Sequence, residues 1–189
     1  MEVAEDLHSN ILIMDEFLPE CIINNLNDLS KRLPFEKARV IDGVNEEIRK
    51  TQTYNMVNVG EPSLTIVHWT NLLVFGFDRA IKEYQKRMRI KNDPYRITNV
   101  EILKYEKSGF YKFHTDDCEE FHRRYSCIYL LNDNYKGGDL SFKYTKTGKK
   151  TIVEKKKNRM IVWPSNFLYP HSVLPIEEGI RYSVVAWAR

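Results

Sequence analysis

The chain has 189 residues, 42% hydrophobic and 12% aromatic, with a formal net charge of +3. That size and composition suit one folded domain with a sizeable core and exclude a disordered chain. No apolar run approaches the roughly 18–20 residues of a membrane span, and a charge this small does not by itself imply nucleic acid.

The start, Met1-Glu-Val-Ala-Glu-Asp6, is acidic and lacks the basic-then-apolar pattern of a secretion signal. Cys21, Cys118 and Cys127 are odd in number and not closely spaced. Free thiols in a reducing, cytoplasmic compartment are the expectation. Ile11–Met14 reads as a short buried strand. Pro19 can open a helix, with Ile22, Leu26, Leu29 and Leu33 at helical spacing until Pro34. Asp42-Gly43 suggests a turn, and Thr51–Val59 a strand.

The clearest helix runs from about Ser63 to Arg89. Trp69, Leu72, Leu73, Gly76, Phe77, Ala80, Ile81, Tyr84 and Met88 form one stripe. The other side carries Arg79, Lys82, Glu83, Lys86 and Arg87, a solvated face in preference to a docking surface. Asn92-Asp-Pro94 ends the helix. Beyond it the texture changes to short strands. Candidates are Ile97–Tyr105, Arg124–Leu131, Asp139–Tyr144, Thr151–Glu154, Arg159–Trp163 and Ile180–Ala188. Many short strands with polar turns suggest a double-sheet jelly roll. The expected fold is therefore α+β. Residues 1–95 supply supporting strands and helices, and residues 96–189 form the barrel core of a single domain.

The chemistry concentrates in Tyr105-Glu-Lys-Ser-Gly-Phe-Tyr-Lys-Phe-His114-Thr-Asp116. On extended backbone His114 and Asp116 share a face. A third ligand is offered by His171. Arg181 and Ser183 follow, again two apart. Two histidines and one carboxylate with open positions opposite is the arrangement of non-haem Fe(II) oxygenases. An arginine nearby can grip the far carboxylate of a keto-acid.

From about Val100 to Trp187 the chain resembles the 2-oxoglutarate- and Fe(II)-dependent dioxygenases, in particular the prolyl 4-hydroxylase-like branch. Tyr105, Gly109, Tyr111, His114, Asp116, Cys127–Asn132, Gly137-Gly138, His171 and Arg181–Trp187 carry the resemblance. It implies a double-stranded β-helix with helices on one sheet. It implies Fe(II) on His114, Asp116 and His171, and 2-oxoglutarate on Arg181, with Ser183 and Tyr105 assisting. Val185 and Trp187 continue the same strand face by the period-two rule. Ascorbate serves relatives as a reductant. In several relatives an inward tyrosine follows the position of Tyr129. Here that residue is Leu130, which leaves one cosubstrate contact open.

The implied activity is hydroxylation of a C–H bond with release of succinate and CO2. The favoured substrate is a prolyl residue in a peptide or protein, with a free amino acid or small molecule next. A nucleic-acid demethylase is disfavoured, because Trp187 stands where that branch carries a second arginine. A non-enzymatic β-barrel binding module ranks last, since no ligand is lost. His68 and His122 lack the context of His171, as does His8. Cys118 reads as a loop thiol. Lys143–Lys157 holds seven lysines against one glutamate and reads as a basic hairpin guarding a strand edge.

Overall fold

The computed structural model describes residues 7–41, 43–57, 60–120 and 122–189. The acidic Met1–Asp6 start, Asp42 of the expected turn, the last two positions of the Thr51–Val59 stretch and the side chain of His8 lie outside the described residues. A 3-10 turn at Leu7–Asn10 leads into β1 (Leu12–Met14) and helix α1 (Glu20–Ser30). Short strands β2 (Glu36–Lys37), β3 (Arg49–Lys50) and β4 (Gln52–Asn55) precede the long helix α2 (Leu64–Arg87). Then come β5 (Ile97–Tyr105), β6 (Phe110–His114), β7 (Tyr125–Leu130), β8 (Lys136–Gly137) and β9 (Leu140–Lys143). The chain closes with β10 (Lys150–Val153), β11 (Arg159–Pro164), β12 (His171–Val173), β13 (Ile176–Glu178) and β14 (Arg181–Ala188).

Pairing is antiparallel throughout the named strands. The larger sheet has seven strands in the order β1-β11-β7-β14-β5-β4-β2. A five-stranded sheet runs β10-β9-β12-β6-β3, and β13 pairs with β8. This is the jelly roll expected from the sequence. The first 95 residues do more than cover it: β1, β2 and β4 extend the larger sheet and β3 extends the smaller one.

Helix α2 begins where Ser63 Oγ accepts the Ile66 amide at 3.3 Å, an N-terminal cap. Lys86 and Arg87 in its last turn complement the helix dipole. Left-handed residues Arg89 and Asn92, φ 55° and 54°, follow its end. Helix α1 stops at Ser30, short of the apolar spacing, and buries Ile23 in place of Ile22. There the Ser30 hydroxyl donates to the Asn27 carbonyl at 2.7 Å, the local bonding that competes with helix propagation.

The strand period divides the apolar residues into two cores. Val100, Ile102, Cys127, Tyr129, Met160, Val162, Tyr182, Val184 and Ala186 pack under the helices. Leu103, Tyr105, Ile128, Leu130, Ile161, Trp163 and Val185 point the other way, between the sheets. Each strand of the larger sheet thus serves both cores with alternate residues. Tyr129 falls on the helix side and Leu130 on the inner side.

One buried residue ties the N-terminal segment to the barrel. Asn158, at φ 66°, donates Nδ2–H to the Leu18 carbonyl at 2.7 Å. Its Oδ1 accepts from the Leu18 amide at 3.0 Å and from the Tyr129 hydroxyl at 2.6 Å. Phe17 then seats its ring edge-on to Tyr129, centroids 5.8 Å apart. Asn158→Ala strips these bonds and leaves a buried phenol without its acceptor. Urea unfolding should show a loss on the order of 2–4 kcal/mol. An unchanged unfolding midpoint would refute the latch.

Candidate active site

The register between β6 and β12 places His171 directly opposite His114. Asp116 joins them from the bend beyond β6, since the strand ends at His114. Strand alternation therefore does not by itself set the carboxylate. The Ser126 hydroxyl of β7 does, donating to Asp116 Oδ2 at 2.6 Å and contacting Ser165 Oγ at 2.8 Å.

His114 Nε2 lies 3.6 Å from Asp116 Oδ1, and His171 Nε2 lies 3.4 Å from Oδ2. One donor atom from each of the three residues falls within 4.8 Å of the others, a spread that one cation could bridge. The outer nitrogens are engaged. His114 Nδ1 is 2.9 Å from the Lys112 carbonyl and His171 Nδ1 is 3.1 Å from the Tyr169 carbonyl. A carbonyl only accepts, so each Nδ1 must carry the proton and each Nε2 keeps a free lone pair facing inward. Rings hold these orientations. Tyr111 stacks on His114 at 3.5 Å, and Trp163 meets His171 edge-on at 4.9 Å.

Electrostatics complete the donor set. Burial pushes the Asp116 carboxyl up, but His171, His114 and the Ser126 hydroxyl outweigh it and hold it below the usual carboxylate range. Burial pushes His171 down to about 4, against the opposing pull of Asp116. At neutral pH the cluster is one carboxylate with a neutral imidazole at His171, the protonation state that a metal requires.

Arg181 lies on β14 opposite Tyr105 of β5, with its guanidinium 5.0 Å from the centre of that ring. It is 1% exposed, and its Nε, Nη1 and Nη2 have no hydrogen-bond partner. Ser183, two residues on, is fully buried, and its hydroxyl is likewise unpartnered. A buried cation without a partner costs several kcal/mol unless an anion meets it. Two guanidinium prongs and a hydroxyl on one strand face fit a carboxylate. The same face continues to Val185 and Trp187, which line a narrow recess together with Tyr105, Tyr111, His114, Asp116 and His171.

A wider cleft of ≈ 1170 Å³ shares Arg49, Tyr111, His114, Asp116 and Trp187 with that recess and opens outward. Arg123 stands at its edge, 4.0 Å from Asp116 Oδ1 and stacked 4.0 Å over the Trp187 ring. Cys118 is on the cleft wall. His68 packs against Trp69, the His122 side chain is exposed near Asp117, and neither belongs to the metal-ligand cluster.

Sequence reasoning passed over Arg49, Arg123, Ser126, Tyr135 and Trp163. Ser126 could have been found from the strand period, as the inward neighbour of Ile128. Arg49 carried no signal, because β3 is two residues long and Arg49 lies 67 positions before Asp116 in sequence.

The glycine pair is structural. Gly137 and Gly138 have φ of 70° and 69°. A Cβ on Gly138 would sit 2.2 Å from Ile176 Cδ1, 3.1 Å from the Tyr135 ring and 3.4 Å from Arg181 Cδ. Gly138→Ala should cost on the order of 2–4 kcal/mol through left-handed strain and overpacking. Thermal unfolding reads this out, and an unchanged melting temperature would contradict the packing.

Residues 100–189 match the model of the 2OG-Fe(II) oxygenase superfamily, so the resemblance read from the sequence holds over the second half of the chain. Prolyl 3-hydroxylase 2 of Rattus norvegicus is 27% identical over 160 residues, covering 82% of this chain. The chain spans about a fifth of the length of that relative, 21%. A prolyl-4-hydroxylase of Pseudomonas putida superposes with a TM-score of 0.70 at 21% identity, over 95% of this chain and 92% of its own. A Trichoplax adhaerens prolyl hydroxylase, solved with a hypoxia inducible factor peptide fragment, gives 0.73 at 19% identity, over 96% and 84%. These two structures share the fold described above.

Proposed function

We propose that this chain, a member of the 2OG-Fe(II) oxygenase superfamily over residues 100–189, is an Fe(II)- and 2-oxoglutarate-dependent dioxygenase that hydroxylates a prolyl residue of a peptide. The observation that carries the reading is the pairing of two features that share the space between the two sheets. An iron-type donor cluster stands beside a buried guanidinium that no protein group satisfies.

His114, Asp116 and His171 are assigned as the metal ligands. Their single negative charge suits a dication and leaves its remaining positions to exchangeable ligands. Arg181 grips the far carboxylate of 2-oxoglutarate with two parallel bonds, and Ser183 adds a donor. The Tyr105 ring supports the guanidinium from below. Leu103, Ile128, Val185 and Trp163 wall the recess and exclude water. When bound, Fe(II) would activate O2, the oxidant, with 2-oxoglutarate giving two electrons as it goes to succinate and CO2, and ascorbate would be the reductant that returns the iron to the ferrous state.

The outer cleft is assigned to the substrate. Arg49 and Arg123 present donors there that suit peptide carbonyls, and Trp187 borders both spaces. The peptide bound by the Trichoplax relative supports this class. A free amino acid is the second choice. The lysines of Lys143–Lys157 do not favour nucleic acid. Lys155, Lys156 and Lys157 pair with Asp139, Asp15 and Glu20, so three of the seven lysines are already engaged with carboxylates. No helix among the described residues is long and apolar enough to cross a membrane. The free cysteines favour a reducing, cytoplasmic location.

Metal binding is testable with cobalt(II), which is inert to oxidation here. Ser126→Ala should weaken it by roughly 10–100-fold, the usual cost of an outer hydrogen bond, and His171→Ala by more. Cobalt affinity unchanged in His171→Ala would remove that ligand from the assignment.

The activity is tested by incubating the protein with Fe(II), 2-oxoglutarate, O2 and proline-containing peptides, free amino acids or methylated oligonucleotides. A gain of one oxygen on a prolyl residue, matched by succinate, is the expected result. Arg181→Lys should weaken cosubstrate affinity although the charge remains. Ser183→Ala should cost less, about 1 kcal/mol. Oligonucleotide demethylation with untouched peptides would overturn the substrate, and 2-oxoglutarate dependence unchanged in Arg181→Ala would overturn the cosubstrate site.

A further inference from the structure

Leu130 faces the inner core, so β7 offers the far end of the cosubstrate pocket only hydrocarbon. Another phenol occupies that core. Tyr135 comes from the connection between β7 and β8, is 5% exposed, and packs in the same inner cluster as Tyr105, Leu130 and Ile176. Its hydroxyl is buried without a hydrogen-bond partner. It joins Arg181, Ser183 and the Trp163 indole among the unpartnered buried donors of the inner face.

The Tyr135 and Arg181 donors belong to one place. A Cβ on Gly138 would touch both the Tyr135 ring and Arg181 Cδ, so the two side chains flank the same glycine. Burial pushes the Tyr135 phenol up, opposed by the charge of the Arg181 guanidinium and its approach to the phenol oxygen, and the phenol's own proton meets no acceptor. The ring is fixed from outside. Lys155 Nζ lies 5.4 Å from its centre and is itself held by Asp139 at 3.5 Å and the Gly137 carbonyl at 3.4 Å. An immobilised tyrosine with a buried, idle hydroxyl is costly unless a polar group meets it. Packing alone would be served as well by phenylalanine.

A carboxylate offers about four lone-pair sites. Arg181 can fill two and Ser183 one, which leaves one for a further donor. We infer that the Tyr135 hydroxyl donates to the far carboxylate of 2-oxoglutarate beside Arg181 and Ser183, from a loop instead of from strand β7. This rests on the reading of Arg181 as the cosubstrate anchor.

The test is calorimetric binding to the cobalt(II)-loaded full chain, which needs no turnover. Two ligands are compared: 2-oxoglutarate, and 2-oxobutanoate, which keeps the chelating end and lacks the far carboxylate. Tyr135→Phe preserves the ring. It should weaken 2-oxoglutarate binding about tenfold, as expected for one hydrogen bond to a charged group, and leave 2-oxobutanoate binding unchanged. Equal 2-oxoglutarate affinity in wild type and Tyr135→Phe would overturn the role of Tyr135 alone. Equal weakening of both ligands would do the same, because the effect would then be a general disturbance of the pocket. Wild-type protein that binds 2-oxobutanoate as tightly as 2-oxoglutarate would overturn the parent reading of Arg181, and the Tyr135 assignment with it.

Discussion

The alternation of β14 is the constraint on which the rest depends. This strand lies between β7 and β5 in the larger sheet. Its even-numbered residues, Tyr182 to Ala188, pack under the helices. The odd-numbered set, Arg181, Ser183, Val185 and Trp187, faces the other sheet. A slip of one residue would exchange the two sets. It would drive a guanidinium into the helix-side core and empty the inner face of its donors. Register is therefore held on both edges, by eight Cα pairs with β5 and six with β7. The same pairing sets Arg181 across from Tyr105, so fold and pocket share one determinant.

The buried charges of the inner face are handled in two different ways. Asp116 is compensated within the protein by two imidazoles and the Ser126 hydroxyl. Arg181 has an aromatic face and no acceptor. A carboxylate held by one hydroxyl donor, with two imidazole lone pairs turned inward beside it, is ready for a cation. A guanidinium left without an acceptor is ready for an anion. Under the proposed function this difference in sign would orient a molecule that chelates at one end and carries a carboxylate at the other. Stability is given up locally for this, since an unpaired buried charge is among the costliest features a core can hold.

The N-terminal half does more than cover a sheet. Strand β3 brings Arg49 to the rim of both recess and cleft, 4.8 Å above the Tyr111 ring that stacks on His114. The segment before α1 is fastened at two points. One is Asn158. The other is Asp15, whose carboxyl is held down to about 2, chiefly by its bonds to Arg159 at 2.6 and 3.0 Å. The lysine-rich hairpin of β9 and β10 forms an outer edge of the smaller sheet, where charge discourages edge-to-edge pairing.

Much of this was legible in the sequence because it depends on local rules. Helical spacing exposed α2, and period-two alternation exposed β5, β7, β11 and β14 within a residue or two. The spacing of His114, Asp116, His171 and Arg181 pointed to the chemistry, since those residue types have few other uses together. Of the shortest strands, β1 was legible as a continuous apolar run, but β2, β3, β8, β12 and β13 were not, because two or three residues carry no period. Nor was the placement of Asp116. It lies past the end of β6, and a serine ten residues away on another sheet positions it. Tertiary structure set Leu130 in the inner core and Tyr129 under the helices, and brought Arg49 and Arg123 to the pocket. Sequence spacing names the groups that can do chemistry. Which of them meet is decided by register and packing between segments far apart in the chain, and that information is distributed over the whole core.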